Sequence, residues 1–297
     1  MTDQPLVVGV DGSPYSLRAV DWAADEAALY GVPLHVVYAS LWQRYEEAVF
    51  PTASTASGRS EQLLTDVLVV AAAERARRRV PGIEVTTRVV PEGPVPVLRR
   101  AAGKASALVL GSRGRGRAAE LLLGSVSLAV AGHAEGPVVV VRGEHAPRIE
   151  SGSGGWRVVV GVPDLPADSQ AVRFALREAA RRGVPVEAVR AWHVPAYQAA
   201  DHAPFTGEPA HAQRQRAAET VRSQVRAPAG DHPGLDVRRS VVEGPAPSAL
   251  LDASAGAALL VVGARRPRGH FGHQLGRVTH AALHRAPCPV AVVPEPG

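Results

Sequence analysis

The chain has 297 residues, 46% of them hydrophobic and 21% charged. That balance suits about two globular domains and is too apolar for a disordered polymer. The net charge is +5, yet Lys104 is the single lysine; arginine without lysine in an Ala-rich background reads as codon-composition bias rather than as a nucleic-acid surface.

No apolar run nears the roughly 18 residues of a membrane span. The N-terminal MTDQPLVVGVDGS lacks the basic and apolar regions of a signal peptide and goes straight into a strand. The single cysteine, Cys288, excludes an intramolecular disulfide framework and a Cys-based zinc site. A reducing cytoplasm is the expected location, with no membrane partner.

In chain order, Leu6–Val10 is a continuous apolar run, as for a strand buried on both faces. Ser16–Tyr30 has helical spacing through Val20, Ala23, Ala24 and Ala27. Leu34–Ala39 is a second strand, and residues 40–57 read as a loop. Ser60–Val80 is a long helix whose basic end, Arg75 to Arg79, suits the negative end of a helix dipole. Ile83–Val90 is a strand, Val95–Lys104 a helix and Ala107–Leu110 a strand. A glycine-rich loop leads to a helix over Ser125–His133 and a last strand over Val138–Val141.

This order then repeats. Leu6–Gly9 matches Val158–Gly161, Gly31-Val-Pro matches Gly183-Val-Pro, and Gly111, Gly124 and Pro137 match Gly263, Gly276 and Pro289, all 152 positions apart. So long a period means two copies of one domain rather than a solenoid. The join is the Gly/Ser-rich stretch from Gly143 to Gly155. The expected layout is a first domain over 1–145, a linker over 146–155 and a second domain over 156–297. Alternating strand and helix predicts an α/β fold: two tandem, doubly wound, mostly parallel five-stranded sheets of Rossmann-like type.

Open α/β sheets bind ligands beyond the carboxyl ends of their strands. Asp11, Ala39 and the loop from Gly111 occupy those ends in the first copy. The loop has the spacing Gly111-x2-Gly114-x9-Gly124-Ser125. Gly114 and Gly116 permit positive φ and close backbone approach, and successive N–H groups in such a turn make an anion nest. The helix opening at Ser125 adds free N–H groups and a favourable dipole, with the Ser125 and Ser127 hydroxyls able to cap it or to donate to phosphate. The spacing is neither that of a P-loop nor Gly-x-Gly-x-x-Gly after the first strand.

This loop, with VVGVDGS at the start, resembles the nucleotide-binding type of the universal stress protein family. The resemblance covers both halves and suggests a tandem member of actinobacterial character. It implies ATP lying along the loop, with phosphates on the glycines and adenine at the ends of strands one and two. By position it places Asp11 as the acidic residue after strand one and Ala39 at the adenine. Leu110, Gly111, Arg113 and Gly114 would line ribose and phosphates, and Gly124, Ser125 and Val126 would close the phosphate site. In the family the final strand pairs domains, which implies pairing within this chain or a homodimer. A carboxylate beside phosphate repels it unless a cation intervenes or a nucleoside donor reaches it. Asp11 is therefore expected to meet Mg²⁺, directly or through water, or to bond the nucleoside; an Asx-turn within Asp11-Gly-Ser-Pro is the structural alternative. Arg113 and Arg115 are candidate phosphate partners.

The second copy departs from this pattern. Gly114 corresponds to Arg266 followed by Pro267, Ser125 to Arg277, and Asp11 to Pro163. A degenerate or weakened site is expected there, the alternative being an anion held through arginine side chains. His270, His273, His280 and His284 invite a metal reading, but His280-Ala-Ala-Leu-His284 lacks a His-Glu-x-x-His pattern; ordinary surface histidines fit better. Cys288 reads as a small buried residue.

No cluster of general base and metal ligands is evident, so phosphoryl transfer lacks its usual parts. The expected function is a nucleotide-dependent stress-response switch or sensor that binds ATP and hydrolyses it slowly if at all. The alternatives are a slow Mg-dependent ATPase using Asp11 and Arg113, and a nucleotide-independent interaction module.

Overall fold

The computed structural model describes residues 4–41, 56–114, 123–142, 156–164, 168–193, 208–265 and 275–296. The chain divides into two units, Met1–Arg148 and Ile149–Gly297. The expected linker over 146–155 lies outside the described residues.

In the first unit the elements run β1 (Leu6–Gly9), α1 (Pro14–Tyr30), β2 (Leu34–Ala39), α2 (Ala56–Arg79), β3 (Val85–Val90), α3 (Pro94–Ala102), β4 (Ala107–Gly111), α4 (Ser125–His133) and β5 (Val138–Val141). The strands pair in parallel in the order β3-β2-β1-β4-β5. Strand order reverses between β1 and β4, the place where open α/β sheets leave a crevice. The second unit repeats the plan with β6 (Val158–Gly161), α5 (Gln170–Arg182), β7 (Val186–Trp192), α6 (Glu208–Gly230), β8 (Val237–Glu243), α7 (Ala246–Ala253), β9 (Leu259–Arg265), α8 (Arg277–Arg285) and β10 (Val290–Glu295). Its order is β8-β7-β6-β9-β10, again parallel.

β1, β4 and β5 form where the sequence is continuously apolar. Every residue of β1, β4 and β5 is buried, because helices cover both faces of a parallel sheet. β3, at the far end of its order, is buried at Val85 and Val90 and exposed at Thr86 to Arg88. The helix face expected through Val20, Ala23, Ala24 and Ala27 is fully buried. α1 starts two residues before the expected Ser16, because Ser13 caps it by accepting the Ser16 N–H at 3.2 Å and Pro14 supplies a preset φ. Gly31 and Gly183 end α1 and α5 at φ of 68° and 63°, the left-handed cap that explains why both copies carry Gly-Val-Pro there.

α2 begins at Ala56, inside the stretch expected to be a loop over 40–57; residues 42–55 of that stretch lie outside the described residues. Its basic end does more than face a dipole. Arg75 grips Asp21 and Arg79 grips Asp25, each through two bonds of 2.6–2.8 Å. Both partners sit four apart on their own helix, so the pairs form successive rungs between α1 and α2. Half-exposed, each rung contributes at most about 1 kcal/mol, but the geometry fixes the register of the two helices.

In the second unit the N-terminus of α5 is capped from a distance. The Glu295 carboxylate, on β10, accepts from Ser169 Oγ at 2.5 Å, Gln170 N at 2.9 Å and Ala171 N at 3.1 Å. It is 4% exposed, so the helix N–H groups and dipole replace its hydration. Glu295→Ala should lower second-unit stability by about 2–3 kcal/mol, through loss of bonds to buried donors; a shifted urea midpoint is the check.

Cys288, at the head of β10, is buried. Burial pushes its thiol up to about 12, where the reactive thiolate is absent at neutral pH. A raised folded-state pKa adds stability below the ordinary thiol range and loses it as pH climbs toward 12. The native protein should therefore resist a thiol reagent at pH 8 and react promptly once unfolded, as absorbance of the released leaving group would show.

Candidate functional site

The carboxyl ends of β1, β2 and β4 open onto one cavity of about 590 Å³. Its position follows from glycines that let flanking elements close in. A methyl group on Gly9 would stand 2.7 Å from Leu110 and 2.9 Å from Leu98. Without it, leucines from β4 and α3 pack onto the end of β1 and form the apolar floor. A methyl on Gly111 would lie 2.7 Å from the Tyr15 carbonyl carbon and oxygen. Glycine there lets the first turn of α1 rest directly on the end of β4.

The turn after β1 brings Asp11 to the mouth. Asp11 Oδ1 accepts the Ser13 N–H at 3.0 Å, which is the Asx-turn alternative realised. The other oxygen, Oδ2, faces Gly114, where an added methyl would stand 2.7 Å from it. Gly114 is not in the left-handed region. The expectation of positive φ is corrected: this glycine is needed for the room it leaves Asp11. Gly116 and Arg115 lie outside the described residues.

The loop returns to the sheet at Gly124, whose N–H donates to Ser112 O at 2.8 Å. Gly124 is the N-cap of α4 and has no side chain to cap it, so the first N–H groups of α4 face the cavity end. Ser127 does not cap the helix or point to a ligand; its buried hydroxyl donates to Gly111 O at 2.8 Å. That bond ties α4 to β4 and corrects the expectation of a phosphate donor. Ser125, by contrast, is exposed and lines the cavity.

All nine residues expected at the site line this one cavity. Asp11 and Ala39 stand at the strand ends, Leu110, Gly111, Arg113 and Gly114 run along β4 and its loop, and Gly124, Ser125 and Val126 open α4. Tyr38, Pro94 and Leu98 line it as well. Sequence reasoning missed Leu98 because it reaches the cavity by packing of α3 on Gly9, and that reasoning stopped at Ala39 at the end of β2, one residue past Tyr38. The sequence did signal the helix that carries Leu98.

The arrangement suits a molecule with an anionic end and a flat apolar end. The first N–H groups of α4, which have no intrahelical partner, supply anion donors; Val37, Tyr38 and Ala39 edge the other end. Among the described lining residues Asp11 is the one carboxylate. A Mg²⁺ ion here would have Asp11 as its single carboxylate among the described lining residues, and among the described residues no three His, Cys, Asp or Glu side chains cluster as a metal site. His280 and His284 stack at 4.2 Å on one face of α8.

The matching place in the second unit is built differently. Arg190 and Arg265 occupy the positions of Tyr38 and Arg113. Arg190 Nη1 donates to Val162 O at 3.1 Å and Nη2 lies 3.3 Å from the Asp164 carboxylate. Arg265 Nη2 donates to Asp164 O at 2.5 Å. The two arginines thus hold the turn after β6, where the first unit presents Asp11. Arg266, Pro267, His270 and His273 lie outside the described residues.

The sequence profile described as the universal stress protein family matches residues 4–142 and 156–294. The chain belongs to the universal stress protein family. Universal stress protein Rv1996 of Mycobacterium tuberculosis is 31% identical over 321 residues, covering 99% of this chain and 96% of that relative. The crystal structure of a universal stress protein from Archaeoglobus fulgidus covers 99% of both chains with a TM-score of 0.67 at 18% identity, which supports the fold. A universal stress protein solved in complex with cAMP is 31% identical, covering 47% of this chain and 96% of its own, with a TM-score of 0.35. Among the described residues no helix is long and apolar enough to cross a membrane.

The glycine contacts yield a stability test. Gly111→Ala presses on the rigid backbone of α1 and should cost about 3 kcal/mol. Gly263→Ala meets only the Glu295 side chain, at 2.9 Å, and should cost less; urea denaturation of the two variants side by side checks the ranking.

Proposed function

We propose that the first unit of this universal stress protein binds ATP, with Mg²⁺ between the phosphates and Asp11, and acts as a nucleotide-dependent switch in a cytoplasmic stress response. One observation carries the reading: the Asp11 turn, the Gly111–Gly114 loop end, Gly124–Val126 and Ala39 converge on a single cavity of about 590 Å³. That volume falls within the range of sites for small organic ligands. Phosphates would take the N–H groups of the loop end and α4, and the base would lie between Ala39 and the apolar floor.

The reading is of binding with slow turnover at most. Asp11 is the one carboxylate among the described lining residues, and its Oδ1 is already engaged by Ser13 N–H. A general base would need that carboxylate within reach of an attacking water.

Isothermal titration with Mg-ATP should give one nucleotide per chain. Gly114→Ala, whose methyl crowds the Asp11 carboxylate, should weaken binding by about tenfold or more. Saturation at two nucleotides per chain would overturn the assignment to one unit, and absence of heat with ATP, ADP and AMP would overturn nucleotide binding itself.

A further inference from the structure

The edge of the second unit carries a row of cations beside a free strand. β8 stands at the end of its strand order and, among the described residues, pairs with β7 alone. One side of this seven-residue strand therefore keeps N–H and C=O groups without a ladder partner. α6 lies over β7 and β8. Its buried Val221, Gln224 and Val225 match the buried Val69, Ala72 and Ala73 of α2 at the 152-residue offset, so both helices sit on their strands in the same rotation. In α2, Arg77 reaches down to the edge strand and donates to Val85 O of β3 at 2.8 Å. Its counterpart in α6 is Ala229, which marks the flank beside β8. Arg226 and Arg222, three and seven residues earlier, share that flank, and Arg214 continues their i, i+4 row.

Arg239 of β8 points to the same side. Right-handed crossovers put α5 and α6 on one face of the sheet and α7 and α8 on the other. Ser240 donates to Glu187 at 2.6 Å, and Glu187 is held by Arg157, which also reaches the Ala253 carbonyl of α7. Ser240 thus faces the α7 side, and its neighbour Arg239 faces α6, because successive side chains of a strand alternate.

Arg214, Arg222, Arg226 and Arg239 are exposed, and among the described residues their guanidinium groups have no hydrogen bond or ion pair. The exposed carboxylates of Glu219 and Glu243 lie close in sequence and pair with none of them; Arg238 is bonded to Asp236 at 3.0 Å. The first unit has Gln62, Val70, Glu74 and Thr87 at the matching places, so the cation row is not a requirement of the fold. Arg222 and Arg226 stand about 6 Å apart along the helix axis, close to the roughly 6.7 Å between side chains on one face of a strand. Charges on an edge strand repel a like chain, and the same charges attract an acidic one. A nucleic-acid backbone would engage the cations but leave the N–H and C=O groups of β8 unpaired, which favours a peptide.

We propose that β8 and the adjoining flank of α6 form a docking surface for an acidic, extended segment of a partner protein. The segment adds to β8 as a strand and sets alternate carboxylates on Arg222, Arg226 and Arg239.

The test uses the full chain and a fluorescent peptide of strand length, with glutamate at alternate positions and threonine between, followed by anisotropy at one fixed salt concentration. This peptide should bind, and its lysine counterpart should not. A peptide of equal composition with its glutamates in one block should bind about tenfold more weakly. The double variant Arg222→Gln, Arg226→Gln should weaken the alternating peptide by about tenfold, with a urea midpoint equal to that of the native protein. Bound peptide should slow amide hydrogen exchange in β8 and leave β3 unchanged. Absence of binding, equal binding of the block peptide, native affinity in the double variant or unchanged exchange in β8 each overturns the proposal. A single-stranded oligonucleotide that binds more tightly than the peptide, and is released by the same double variant, overturns it in favour of a nucleic-acid surface.

Discussion

The first unit depends on a close approach between two backbones, that of Gly111 at the end of β4 and that of Tyr15 in the first turn of α1. A methyl at Gly111 would stand 2.7 Å from the Tyr15 carbonyl, so any larger residue would push α1 off the sheet. With α1 seated there, Ser13 and Ser16 close the turn behind Asp11, and the Tyr15 side chain meets Arg113. On the other side of Gly111, the Ser127 hydroxyl takes its carbonyl and draws α4 in. One residue thus sets the spacing of α1, β4 and α4, three of the elements that line the cavity.

The second unit keeps half of this scheme. Thr279 bonds Gly263 O at 3.3 Å, as Ser127 bonds Gly111 O, so the strand-to-helix tie survives duplication. The contact on the other side does not. The cap of α5 is Ser169, and the space beside Gly263 is taken by the Glu295 side chain. A carboxylate from the unit's own last strand neutralises the N-terminal end of α5. Arg190 and Arg265 meanwhile secure the turn after β6.

The arginine-rich composition carries little information as a bulk quantity. Several of its members are consumed one at a time by local partners: Asp21 and Asp25 for Arg75 and Arg79, and Glu187 with the Ala253 carbonyl for Arg157. Such pairs order helices and strand ends more than they add stability, because most remain partly exposed. Arg113 differs in standing at the edge of a cavity.

Much of the fold is legible in the residues themselves. β2, α4 and β5 have the expected bounds, because continuous apolar runs and a Gly124-Ser125 helix start are local signals. The 152-residue repeat likewise announces two similar units, and the Gly-x2-Gly-x9-Gly-Ser spacing names the loop to examine. Other features depend on contacts between distant parts of the chain. The roles of Gly114 and Ser127, the lining by Leu98, the grip of Tyr15 on Arg113 and the reach of Glu295 to α5 all join residues far apart in sequence. Length and composition allowed two domains of unspecified kind; apolar periodicity and the repeat made them α/β copies. What only the tertiary structure decided is how each copy fills the space beside its strand-end glycine, with the backbone of α1 at Gly111 and the Glu295 side chain at Gly263, because those contacts join residues far apart in the chain.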